Sequence, residues 1–196
     1  MPSQTIKSIC VYCGSADGLS RKYLDAAAEM GRHIAQAGIR LVYGAGKTGL
    51  MGSIADAALE ANGEVVGIVP ENLNTPVLIH QKLSRLEVTP GIHERKALMS
   101  QMADAFIAMP GGYGTFEELF ETLTWVQIGI HCKPVGLLNT CGYFDPLLDL
   151  IDHSAREGFI FEQHKSILTH ASSPPELLEK LLRFEQPSGL DRWVNR

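Results

Sequence analysis

No apolar run in the 196 residues approaches the roughly 20 needed to cross a bilayer. The opening MPSQTIK has neither the charged start nor the apolar stretch of a secretory leader, so the expected location is cytoplasmic, with no membrane partner. Basic runs are also missing. The net charge is −5, from 17 Lys+Arg against 22 Asp+Glu, which argues against nucleic acid as a partner, because that surface concentrates positive charge. A small anion needs only a local site. Cysteine is scarce, with four in all. Cys10 and Cys13 have CxxC spacing, but they lie in an apolar run that reads as a strand, where residues three apart point to opposite faces. They are expected to be small buried apolar groups rather than a metal or redox pair. Cys132 and Cys141 complete no zinc pattern. His80, His131, His153, His164 and His170 form no HxxxH or His/Cys cluster, and no GxSxG elbow makes a nucleophile of Ser15. Neither a metal nor a cofactor is expected.

What remains is ordinary globular composition, 45% apolar and 20% charged, in a chain long enough for one sizeable core. One domain over residues 1–196 is expected, with a frayed tail from about residue 186. Periodicity and turn residues predict strands over 6–13, 39–43, 64–69, 85–89, 103–109, 134–139 and 166–170. Helices are predicted over 20–37, 50–61, 92–102, from the glycine-rich segment after 109 to about 128, over 143–156, and over 174–183. Residues 71–84 read as a loop with at most one helical turn. Strands alternating with helices imply an α/β fold, a doubly wound parallel sheet with helices on both faces. In such folds ligands bind beyond the carboxyl ends of the strands, where the strand order reverses.

Three segments at those ends carry chemistry. The strongest is Pro110-Gly111-Gly112-Tyr113-Gly114-Thr115-Phe116-Glu117-Glu118, between a buried strand and a helix. Glycine lets backbone approach a ligand closely. The first helical N–H groups lack partners within the helix and, with its dipole, bind phosphate. Thr115 adds a hydroxyl. Glu118, one turn in and beside the apolar stripe of Leu119, Leu123 and Val126, is expected at the sheet edge, with Glu117 and Glu121 as neighbours. The second segment, His93-Glu94-Arg95-Lys96, puts two cations at a helix start against the dipole, which points to an anionic ligand. The third, Gly44-Ala45-Gly46-Lys47-Thr48-Gly49, matches GxGxxG and ends like a Walker A loop, but Leu41 stands where that loop needs glycine.

These residues resemble the Lonely Guy (LOG) family of cytokinin riboside 5′-monophosphate phosphoribohydrolases. The family pattern PGGxGTxxE is met at every fixed position by residues 110–118. Cys13-Gly14-Ser15, the Gly44 to Gly52 element and Ile92-His93-Glu94-Arg95-Lys96 follow the family in order, and the run from Trp125 to Asn139 is also similar. Three positions depart from the usual pattern: Ala45 for glycine, Ile92 for methionine, and Val77 where many members carry glutamate. The resemblance implies a Rossmann-like fold, a homodimer, and hydrolysis of a nucleotide to free base and ribose 5-phosphate, with Arg95 and Glu118 catalytic. Substrate and phosphate contacts are expected from Gly111, Gly112, Tyr113, Gly114, Thr115, Lys96, Ser15, Gly44, Gly46, Glu117, Glu121 and Thr124. Whether the base is N6-modified adenine, plain adenine or another purine stays open, as does a general role in nucleotide salvage. So do an NAD(P)-linked oxidoreductase built on the GxGxxG loop, a nucleotide sensor without turnover, and a lysine decarboxylase, which would need a Schiff-base lysine.

Overall fold

The computed structural model describes residues 5–190. Seven parallel strands form one sheet: β1 (Ser8–Tyr12), β2 (Arg40–Tyr43), β3 (Val65–Pro70), β4 (Arg85–Thr89), β5 (Ala105–Ala108), β6 (Val135–Leu138) and β7 (Leu168–Ala171). The order across the sheet is β4-β3-β2-β1-β5-β6-β7. The direction of winding therefore reverses between β1 and β5, and the crevice for a ligand opens there.

Among the described residues seven α-helices accompany the sheet: α1 (Arg21–Gln36), α2 (Gly49–Glu60), α3 (Ile92–Met102), α4 (Tyr113–Gln127), α5 (Asp145–Arg156), α6 (Glu162–Lys165) and α7 (Pro174–Leu182). The two faces of β1 divide the core. Ile9, Val11 and Cys13 pack with Met30 and Ile34 of α1, Ile54 of α2 and Leu177 of α7. Cys10 and Tyr12 pack on the other side with Met99 of α3, Leu119 and Val126 of α4, and Phe144. The period of two that separates the cysteines in sequence thus places them on opposite faces. Burial raises both thiols far above the ordinary range.

The 71–84 segment is a loop with a single 3₁₀ turn, Glu71–Leu73, as expected. The differences from the expected elements are local. Helix α6 is one turn within the expected loop between α5 and β7, too short to show any periodicity. The expected frayed segment from 186 is described only as far as Leu190, whose side chain is buried and whose carbonyl lies 3.3 Å from Nε2 of His164. Residues 191–196 of that tail lie outside the described residues.

Candidate active site

Three loops meet at the switch point. The turn after β1 joins the other two through the backbone of Gly14. Its N–H donates to the carbonyl of Pro110 at 3.0 Å, and its carbonyl accepts from Leu50 and Met51 at the start of α2, at 2.9 and 3.3 Å. Thr48 Oγ1 adds a bond of 2.6 Å to the carbonyl of Ser15. Loop 44–49 and loop 110–115 are in this way fastened to one strand end.

Loop 110–115 leaves its donors open. Among the described residues, the backbone N–H groups of Gly112, Tyr113, Gly114 and Thr115 donate to no protein acceptor. The first helical bond runs from Phe116 to the carbonyl of Gly112, at 3.0 Å. A Cβ on Gly112 or Gly114 would meet nothing within 4 Å. Gly111 is different. A Cβ there would collide with Thr115 Oγ1 and lie 2.9 Å from the amide nitrogen of Gly14. Tyr143 donates its hydroxyl to the carbonyl of Gly111 at 2.5 Å and packs edge-on against Tyr23. The loop is thus buttressed from behind, while four amides and the 94% exposed Tyr113 ring face outward. Such a set of free amides at a helix start can hold an anion.

One turn further into α4, Glu118 is buried and shares a face with Thr115, as residues three apart on a helix do. Arg95 reaches it from α3. Its Nε donates to the carbonyl of Ile68 at 3.0 Å, and its Nη1 lies 3.7 Å from Glu118 Oε1. A Cβ on Gly44 would collide with Arg95 Nη2, so the absence of a side chain there admits the guanidinium. Burial lifts the Glu118 carboxyl to about 7. Arg95 pulls it back down, Glu117 pushes it up, and smaller opposed effects come from Lys96 and Glu121. Its proton therefore comes off near neutrality.

A cavity of about 460 Å³ unites these groups, a volume suited to a small-molecule ligand. Ser15, Gly111, Gly112, Tyr113, Gly114, Thr115, Arg95 and Glu118 line it, together with an apolar wall that includes Leu19, Tyr23, Leu50, Met51 and Tyr143. Of the residues singled out in the sequence, Gly44, Gly46, Lys96, Glu117, Glu121 and Thr124 do not line it. Gly44 sits behind Arg95, and Gly46 packs against Met51 and bridges to Ile79. Thr124 is exposed and bonds back to the carbonyl of Phe120 on its own helix, at 2.7 Å. Lys96 is held by Glu117 and by Glu121, the latter at 3.1 Å. The apolar wall was missed in the sequence. Tyr143 follows β6 at the carboxyl edge of the sheet, and the sheet-edge rule applied to that strand as well would have marked it.

Ala45, where the family usually has glycine, is buried with φ +64°, in the left-handed region. Its carbonyl accepts from His80 at 2.9 Å. Val77 is 72% exposed. Among the described residues no group of three or more His, Cys, Asp or Glu could hold a metal ion, and no helix is long and apolar enough to cross a membrane.

Residues 51–181 match a family model described as "Possible lysine decarboxylase". The chain is 48% identical over 178 residues to the cytokinin riboside 5′-monophosphate phosphoribohydrolase LOG of Oryza sativa subsp. japonica, covering 91% of this chain and 74% of that protein. The cytokinin riboside 5′-monophosphate phosphoribohydrolase LOG3 of Arabidopsis thaliana is 44% identical over 184 residues, covering 94% of this chain and 86% of that protein. Among solved structures, the molybdenum cofactor binding protein of Rippkaea orientalis superposes with a TM-score of 0.67 at 23% identity, covering 88% of this chain and 93% of that one, a likeness of fold. Identity of this extent, spread over nine-tenths of the chain and joined to the four motifs around the cavity, establishes that the chain belongs to the Lonely Guy family, whose members carry the name cytokinin riboside 5′-monophosphate phosphoribohydrolase.

Proposed function

We propose that the protein hydrolyses the N-glycosidic bond of an adenosine 5′-monophosphate, N6-modified in the cytokinin-activating form, to free base and ribose 5-phosphate. The observation that carries this reading is that a buried carboxylate, Glu118, and four free helix-start amides face one cavity from successive turns of α4. A 5′-phosphate on the amides of residues 112–115 and Thr115 Oγ1 sets the ribose beside Glu118. As the bond from the anomeric carbon to the base nitrogen breaks, its electron pair leaves with the base and positive charge grows on the sugar. The ionised carboxylate stabilises that charge and orients water. The water oxygen then bonds to the anomeric carbon and its proton passes to Glu118, while the departing base takes a proton from solvent. Arg95 clamps phosphate or ribose and keeps Glu118 ionisable. Phosphate binding supplies the orientation, so a nucleoside without phosphate should react far more slowly. The apolar wall suits a base with or without an alkyl substituent.

A lysine decarboxylase would need a lysine poised as a free amine. Burial alone would lower Lys96, but its bonds to Glu117 and Glu121 leave it above the ordinary range. Lys47 donates to the carbonyl of Pro76 at 3.0 Å. Both features favour the hydrolase. A cytoplasmic homodimer is part of the reading. It is supported by the family and by the exposed Phe120, Ile128 and Ile130 in and just after α4, with Ile92 at the start of α3. Light scattering of the purified protein would test the dimer.

The test of function is incubation of the purified protein with AMP, with isopentenyladenosine monophosphate and with adenosine, following base and ribose 5-phosphate by chromatography. Release of both products from a monophosphate, with adenosine far slower, is the expected result. Nucleotide binding without product from either monophosphate would replace the hydrolase with a sensor.

A further inference from the structure

Arg95 and Lys96 are consecutive at the start of α3 and are both buried, yet they face different things. Arg95 lines the cavity; Lys96 does not. The Lys96 ammonium bonds Glu117 Oε1 and lies 3.1 Å from Glu121 Oε1, the carboxylates one residue before and three residues after Glu118. Two of its three donors are therefore committed to α4. A phosphate ligand would have to give up this pairing and turn toward a cavity whose free amides already supply an anion site.

We infer that Lys96 is a positioning residue. It neutralises Glu117 and Glu121 and pins the first turns of α4, so that Arg95 is left to face Glu118 alone beside the free amides. This rests on the hydrolase reading above. The groups that face Glu118 are Arg95 and Lys96 from α3, Glu117 and Glu121 from its own helix, and Cys10, Tyr12 and Cys13 from β1. Burial keeps the last three protonated through the neutral range, so the flanking carboxylates and the two cations set when Glu118 ionises. Without the ammonium, Arg95 alone opposes the charges of Glu117 and Glu121 at Glu118, and they hold its proton on to higher pH.

The experiment compares wild type, Lys96→Met, Lys96→Arg and the triple variant Lys96→Met with Glu117→Gln and Glu121→Gln. The monophosphate assay gives kcat and KM from about pH 5 to about pH 9. A carbon-13 titration of the Glu118 carboxyl, assigned with Glu118→Gln, gives its midpoint directly. Lys96→Met should lower kcat at neutral pH about fivefold, leave KM within about threefold, and raise the Glu118 midpoint by about one unit. Lys96→Arg should restore most of the rate. The triple variant should return the midpoint and most of kcat, because the charges that Lys96 offsets are gone. A tenfold or larger rise in KM that the triple variant does not repair would make Lys96 a phosphate ligand and overturn the inference, as would an unmoved midpoint in Lys96→Met. The titration needs no turnover. A wild type that cleaves neither monophosphate would sink the hydrolase reading, and the midpoint would still judge Lys96.

Discussion

Two glycine-rich loops leave neighbouring regions of the same sheet edge and lead into helices, but only one of them lines the cavity. Loop 44–49 is tied to the protein, with Lys47 N donating to the carbonyl of Leu78, Thr48 Oγ1 to Ser15, and the Leu50 and Met51 amides just beyond it to Gly14, and none of its residues lines the cavity. Its glycines make room for Arg95 and Met51. In loop 110–115 the N–H groups are left free, and the glycine that is closely packed, Gly111, presses the loop onto Thr115 and Gly14. Glycine in a strand-to-helix loop is thus an ambiguous sign. It marks a ligand site where the released amides face a cavity, and a packing site where they face the protein. Position decides which, because the switch point between β1 and β5 opens beside the second loop.

The largest effect that would sharpen this contrast belongs to the acid one turn beyond the open loop. Glu118→Gln should lower kcat on the order of a thousandfold while nucleotide affinity by calorimetry changes only a few-fold. Near-normal turnover would remove Glu118 from the chemistry. Next come paired glycine substitutions. Gly111→Ala forces its methyl onto Thr115 and Gly14 and should raise KM for the monophosphate on the order of thirtyfold. Gly46→Ala meets the flexible end of Met51, 2.7 Å away, and should change KM less than about threefold. Equal effects from the two would break the distinction between the loops.

The pH dependence should follow the open loop too. The Glu118 proton is lost near pH 7, because burial raises its carboxyl from the ordinary value of 4.5 to about 7. Since the ionised form does the work, kcat should climb as pH rises through about 7 and level off above it. A profile that instead falls through that range would make Glu118 an acid. The smallest effect lies in the closed loop. Ala45→Gly relieves a left-handed alanine, worth about 1 kcal/mol, and removes a buried methyl worth about as much. Chemical denaturation should therefore show a net change within about 1 kcal/mol. A much larger loss would mean that the Ala45 methyl is a packing element of the closed loop.

Most of the architecture was legible because helix and strand periods are local properties of the chain. Arg85–Thr89 and Ile92–Met102 have the bounds expected from the sequence, and most other strands and helices differ by one or two residues at an end. The one-turn α6 is too short to carry a period. The candidate site was half legible. The residues of loop 110–115, with Ser15, Arg95 and Glu118, do meet around one cavity. Lys96, Glu117, Glu121 and Thr124 were grouped with them because they are neighbours in sequence. A helix turns by 100° per residue, so adjacent side chains face different surroundings. That is why Lys96 leaves Arg95, and why Glu117 leaves Glu118.

By itself the sequence determined the alternation of strands and helices, the parallel sheet, the glycine-rich strand-to-helix loops, and the separation of Cys10 from Cys13, since each follows from periods of 2 and 3.6 or from what glycine permits. Only the tertiary structure decided which glycine loop lines the cavity, where Lys96 spends its charge, and that Tyr143 and Tyr23, more than a hundred residues apart, wall the same cavity. These depend on which strands become neighbours in the β4-β3-β2-β1-β5-β6-β7 order, and no local period encodes that.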